Sequence, residues 1–80
     1  MLKPKELVLI TGASTGLGLA LARELLKLDK YRLVLTARKE SLLRFYQLGF
    51  HNEPSVLIRP LDVNDERERQ EIIDECEHKL

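Results

Sequence analysis

The sequence predicts an α/β fold with a parallel sheet in the order β-α-β-α-β-α. Three observations carry this. Leu7-Val8-Leu9-Ile10, Leu33-Val34-Leu35 and Val56-Leu57-Ile58 are apolar without polar alternation. Such runs fit strands buried on both faces of a parallel sheet. The stretches between them have helical periodicity and good helix formers. A glycine-rich turn, Thr11-Gly12-Ala13-Ser14-Thr15-Gly16-Leu17-Gly18, joins the first run to the first helix. Alternation of this kind implies right-handed crossovers between neighbouring parallel strands.

The polar lead Met1-Leu2-Lys3-Pro4-Lys5 is expected to fray and lacks the form of a signal peptide. Glu6 to Ile10 is the first strand. Gly16 to Leu28 is the first helix, with Leu17, Ala20, Leu21, Leu25 and Leu28 as its apolar stripe. Leu19, Ala22 and Leu26 widen that stripe, and Ala20 is the expected point of close approach to the sheet. Tyr31 to Ala37 is the second strand. Lys39 to Leu48 forms a short helix that Gly49 stops. Phe50 to Pro54 is loop. Ser55 to Leu61 is the third strand, and Pro60 marks an edge or the end of pairing. Asn64 or Asp65 caps the last helix, with acids in its first turn. Its narrow apolar face is Ile72, Ile73, Cys76 and Leu80.

The chain has 80 residues, enough for one small domain with a thin margin of buried surface. Its 13 basic and 13 acidic residues cancel, so no global field points to nucleic acid or an anionic membrane. Every apolar run is far below the ~18 residues of a membrane span. Cys76 is the single cysteine, which excludes an internal disulfide and a cysteine zinc site. The expected setting is a reducing one, the cytoplasm. His51 and His78 lack a second ligand at metal spacing, so no metal site is expected. Cys76 reads as a small core residue.

The glycine turn carries the first chemistry. A strand that enters a glycine turn and leaves as a helix presents unpaired N–H groups and a positive dipole end to one point. A phosphate is the natural guest there. Gly12, Ser14, Thr15, Gly16, Leu17 and Gly18 are therefore the candidate cradle for a dinucleotide pyrophosphate. No Gly-Lys-Ser/Thr follows, which excludes a P-loop.

The end of the second strand selects the nucleotide. An acid about 20 residues past the glycines binds the ribose 2′-hydroxyl of NAD, and an arginine accommodates the 2′-phosphate of NADP. Here the residues are Thr36-Ala37-Arg38-Lys39, with no acid before Glu40. Arg38, helped by Ser14 or Lys39, is expected to read the 2′-phosphate, so the expected cofactor is NADP rather than NAD. Asp62 and Val63 end the third strand, where ligands sit in such sheets. Asp62 can accept from an adenine amino group and Val63 can offer an apolar wall; Asp62 reads equally as a strand-end cap.

With these sites in hand, the chain resembles the short-chain dehydrogenase/reductase family. Thr11 to Gly18 matches the family's TGxxxGxG motif. Ala37-Arg38 is similar to its NADP-preferring members, and Leu61-Asp62-Val63 to its adenine-contacting Asp. The resemblance implies a Rossmann-type sheet, of which residues 1–80 are the first β-α-β-α-β-α half, with strand order 3-2-1. It implies hydride transfer between NADP(H) and a carbonyl or alcohol. The family's Asn-Asn-Ala-Gly, catalytic Ser and Tyr-x-x-x-Lys have no counterpart: Leu35 lies four residues after Tyr31, and Phe50 four after Tyr46. No catalytic residue is assigned. Two origins follow: the cofactor-binding portion of an oxidoreductase whose C-terminal half is elsewhere, or a non-catalytic module that binds nucleotide or joins a homo-oligomer through the first-strand edge.

Overall fold

A computed structural model of the chain describes residues 5–78. The polar lead over residues 1–4 and the Leu80 end of the last apolar face lie outside the described residues. The elements are β1 (Glu6–Ile10), α1 (Gly16–Leu28), β2 (Tyr31–Ala37), a 3-10 turn (Lys39–Ser41), α2 (Leu43–Gln47), a second 3-10 turn (Phe50–Asn52), β3 (Val56–Pro60) and α3 (Glu66–His78). All strands are parallel in the sheet order β1-β2-β3, with β2 in the middle. Val8 lies opposite Leu33, and Leu35 opposite Ile58. No described helix is long and apolar enough to cross a membrane.

Side chains alternate across a strand, so each strand feeds two faces. One face holds the main core. Val8, Ile10, Leu33, Leu35, Ala37, Val56 and Ile58 meet Ala22 and its neighbours on α1 and Phe45 on α2. Phe45 is fully buried and takes Phe50 edge-on, with ring centroids 6.2 Å apart. α3 serves the other face. Arg59, which alternates with Ile58, reaches Glu75 of α3 there. Val34 is buried on that side, whereas Leu9 at the β1 edge is exposed.

The structure corrects four expectations. The buried side of α1 is Leu19, Ala22, Leu25 and Leu26, not the stripe through Leu17, Leu21 and Leu28, which are 87%, 47% and 53% exposed. Ala22, not Ala20, makes the close approach, because Ala22 is fully buried and Ala20 is exposed. A helix whose apolar arc spans more than half its circumference offers two stripes of similar strength, and only the way the glycine turn aims α1 chooses between them. Second, the expected helix from Lys39 to Leu48 divides into a 3-10 turn and the five-residue α2. The tight bonds from Ser41 N–H to Arg38 O and Leu42 N–H to Lys39 O let the chain leave β2 and bring Leu42 and Phe45 back onto the sheet within a few residues.

Third, the expected loop after Gly49 starts with a 3-10 turn that buries Phe50. Gly49 does stop the helix, at φ 84°, and that left-handed step turns Phe50 inward. Fourth, Ile73 is 42% exposed, so the described apolar contact of α3 rests on buried Ile72 and half-buried Cys76. β3 itself covers Val56–Pro60, yet Leu33 N–H donates to Ser55 O and Leu61 N–H to Ala37 O. Hydrogen bonding to β2 thus extends to the expected limits at Ser55 and Leu61.

Candidate functional site

A parallel sheet gathers the C-terminal ends of all its strands at one end. The turn after Ile10, Arg38 after Ala37, and Asp62 after β3 therefore stand at the same end of the sheet. Residues far apart in sequence are brought together by topology alone.

The glycines of the turn have two different physical reasons. Gly12 and Gly16 have φ of 60° and 61°, a left-handed conformation that costs residues with a Cβ. Gly18 is needed for space. A Cβ there would lie 2.7 Å from the Gly12 carbonyl oxygen, so α1 crosses directly over its own turn. The turn is also braced from outside. Ala13 N–H donates to Thr36 O over 3.0 Å, the Thr36 hydroxyl donates to Ile10 O over 3.2 Å, and Arg44 Nε donates to Ser14 O over 3.2 Å. Ala13 and Ser14 are buried as a result, while Thr15 and Leu17 face solvent.

The two long helix starts are built in opposite ways. At α3, the Asp65 carboxylate accepts from Arg67 N–H and Glu68 N–H, and Glu66 and Glu68 add negative charge. Its dipole end is satisfied from within the chain. At α1, Thr15 is the cap residue but makes no side-chain capping bond, and the first turn holds no acid. The first N–H groups of α1 therefore keep their capacity for an anion.

Asp62 is held in a tight turn. Its N–H donates to Glu68 Oε2 at 3.0 Å, and its Oδ1 accepts Asn64 N–H at 2.9 Å. One carboxylate oxygen of Asp62 thus caps its own turn, and the residue also lines an open groove. Val63 beside it is 49% exposed. The groove has a volume of about 1050 Å³ and runs from Arg38 and Lys39 past Pro60 and Asp62 to α3. The glycine turn is not part of its lining. Its α3 wall carries Glu68, Glu71 and Asp74, with Arg59 paired to Glu75, whereas its β2 end carries Arg38 and Lys39 with Glu40 beside them. The groove is thus more acidic along α3 than at its β2 end.

Two residues at this end, Arg44 and Glu68, were not singled out from the sequence. Arg44 reads as an ordinary helix-face cation, because its partner lies 30 residues away. Glu68 does have a local signal, since Asp65-x-x-Glu68 has capping-box spacing. The box would send the carboxylate to Asp65 N–H, but here it goes to Asp62 N–H. The Cys76 thiol is pushed up from its ordinary range, first by burial and then by the charges of Glu75 and Glu77. Among the described residues, no group of three His, Cys, Asp or Glu stands together to hold a metal.

Comparison with known proteins agrees with this architecture. The chain superposes on the solved menthone neomenthol reductase from Mentha piperita with a TM-score of 0.76 at 21% identity. The match covers 98% of this chain and 28% of that one, so the chain spans about a quarter of the reductase's length. No curated protein matches the sequence. A family model for short chain dehydrogenases matches residues 6–80, nearly the whole chain. That match, on a parallel βα sheet with the glycine turn at its C-terminal end, places the chain in the short chain dehydrogenase family, whose members bind NAD(P) dinucleotides.

Proposed function

We propose that this chain is the NADP-binding, N-terminal portion of a short-chain oxidoreductase that transfers hydride between NADP(H) and a carbonyl or alcohol. The observation that carries the reading is the uncapped, acid-free start of α1, set against the fully capped start of α3 in the same chain. Gly12, Ser14, Thr15, Gly16, Leu17 and Gly18 would cradle the pyrophosphate. Arg38 would meet the 2′-phosphate, and Asp62 and Val63 the adenine. The charge of the groove supports that division, because a neutral base with an amino donor suits the acidic α3 wall and a phosphate does not. The cofactor, when bound, supplies the hydride. These residues bind and orient it, and none of them is assigned to proton transfer.

A second reading rests on the tyrosines. Neither Tyr31 nor Tyr46 has a lysine four residues on. Such a chain on its own would act as a nucleotide-binding module without chemistry. Neither reading gives this chain a proton donor, so turnover does not separate them; the mass in solution does, because a homo-oligomer that binds NADPH supports the module.

The cofactor assignment is tested by titrating NADPH and NADH against the chain and Arg38→Ala. NADPH should bind tighter than NADH by about tenfold or more, and Arg38→Ala should erase the difference. Unchanged affinities for both cofactors would show that Arg38 has no part in the choice.

A further inference from the structure

The sequence offered Arg38, helped by Ser14 or Lys39, for the 2′-phosphate, and the fold brings a further cation, Arg44, to the glycine turn. Arg44 leaves α2 and its Nε donates to the carbonyl oxygen of Ser14 at 3.2 Å. Ser14 is itself buried, and the preceding residue is bonded to Thr36, two positions before Arg38. The guanidinium is thereby tethered at the junction of the glycine turn and the β2 end.

That tether uses one edge of the group. An arginine has five N–H donors in a rigid fork. Among the described residues, the two terminal nitrogens of Arg44 have neither an ion pair nor a hydrogen bond. Three cations of the chain are neutralised by carboxylates, Arg59 by Glu75, Lys27 by Glu24 and Lys5 by Asp29, whereas Arg44 is held by a carbonyl and keeps its charge. The first turn of α1 beside it brings no acid. A brace for Ser14 needs one donor. An unneutralised guanidinium with its outer fork unused matches the two oxygens of a phosphate.

We propose that Arg44 binds the 2′-phosphate of NADP jointly with Arg38, so that two guanidiniums from one β2–α2 connection read the cofactor. Arg38 is exposed at the start of the connection, and Arg44 returns from its end pre-positioned by Ser14. The proposal rests on the dinucleotide reading above, and the experiment separates the two.

The full chain, Arg44→Ala and Arg44→Gln are titrated with NADPH, NADH, 2′,5′-ADP and 5′-AMP. Gln removes the charge but keeps an N–H donor, so it stands in if Ala fails to fold. Both variants should weaken NADPH and 2′,5′-ADP by about tenfold and leave NADH and 5′-AMP within about twofold. The loss should shrink at high salt, as expected of a charge contact. Equal losses for both cofactors mean that Arg44 only braces the turn or meets the pyrophosphate, and overturn the proposal. Unchanged NADPH affinity overturns it as well. A wild-type chain that binds neither dinucleotide overturns the cofactor reading and this proposal together. A wild type selective for NADPH, with equal losses in the variants, overturns this one alone.

Discussion

Arg59 of β3 and Glu75 of α3 form a two-pronged ion pair, with Arg59 Nε 3.0 Å from Oε1 and Nη2 3.0 Å from Oε2. The pair links the sheet to the helix whose Glu68 holds the Asp62 turn. Its side chains are 35% and 22% exposed, so the attraction is partly screened by solvent.

Arg59→Ala should destabilise the domain by about 1 kcal/mol, below the range of a buried charge-assisted bond because solvent screens the pair. In a domain this small, that is a fall in melting temperature of about 4–8 °C. Thermal melts of Arg59→Ala, Glu75→Ala and the double variant give the coupling. Additive losses would show that the two side chains do not stabilise each other.

The glycines of the turn should fail in distinguishable ways. Gly18→Ala drives a Cβ to 2.7 Å from backbone that cannot step aside, so α1 must shift off its turn. Overpacking of this kind costs about 1–3 kcal/mol. Gly16→Ala meets nothing within 4 Å and suffers only from its φ of 61°. That conformation costs about 1–2 kcal/mol, and asparagine tolerates it better than alanine. Denaturant unfolding should therefore show Gly16→Asn recovering part of the Gly16→Ala loss, with no such rescue for Gly18→Asn. Equal behaviour at both positions would contradict the assignment.

The Cys76 thiol should be slow to alkylate. Burial and its acidic neighbours raise its pKa, so a smaller fraction is thiolate at a given pH than for a free cysteine. The rate should climb as pH passes the ordinary thiol range and should still lag the unfolded chain there. The sign for stability is the same. Below the ordinary thiol pKa both states hold the proton, and stability is unaffected. Above it the unfolded thiol loses its proton first, and stability declines. Iodoacetamide kinetics against pH, native and in urea, check this. Native alkylation as fast as in urea would show an open thiolate.

Some of this was readable in one dimension, and some was not. The bounds of β1, α1 and β2 followed from apolar runs and the glycine turn, because backbone propensity and burial agree there. The bonding limits of β3 were also legible. The buried side of α1 was not. Leucines cover a wide arc of that helix, and the periodicity of Leu17, Leu21 and Leu28 competes with that of Leu19, Ala22 and Leu26. Phe50 was hidden for a related reason: a loop residue becomes core only when Gly49 turns it toward Phe45.

What the sequence determined alone is local. It set the alternation of strands and helices, the positions that need glycine, and the absence of acid between Gly18 and Arg38 other than Glu24 and Asp29 within and just after α1. Each depends on backbone preference or on residue type at a known spacing. Tertiary structure decided what depends on distance through space. It brought Arg44 to Ser14 and Glu68 to Asp62, and it chose Ala22 as the contact of α1 with the sheet. The reason is geometric. Parallel strands collect their C-terminal ends at one end of the sheet, and side chains from α2 and α3 reach that end only once the crossovers are folded.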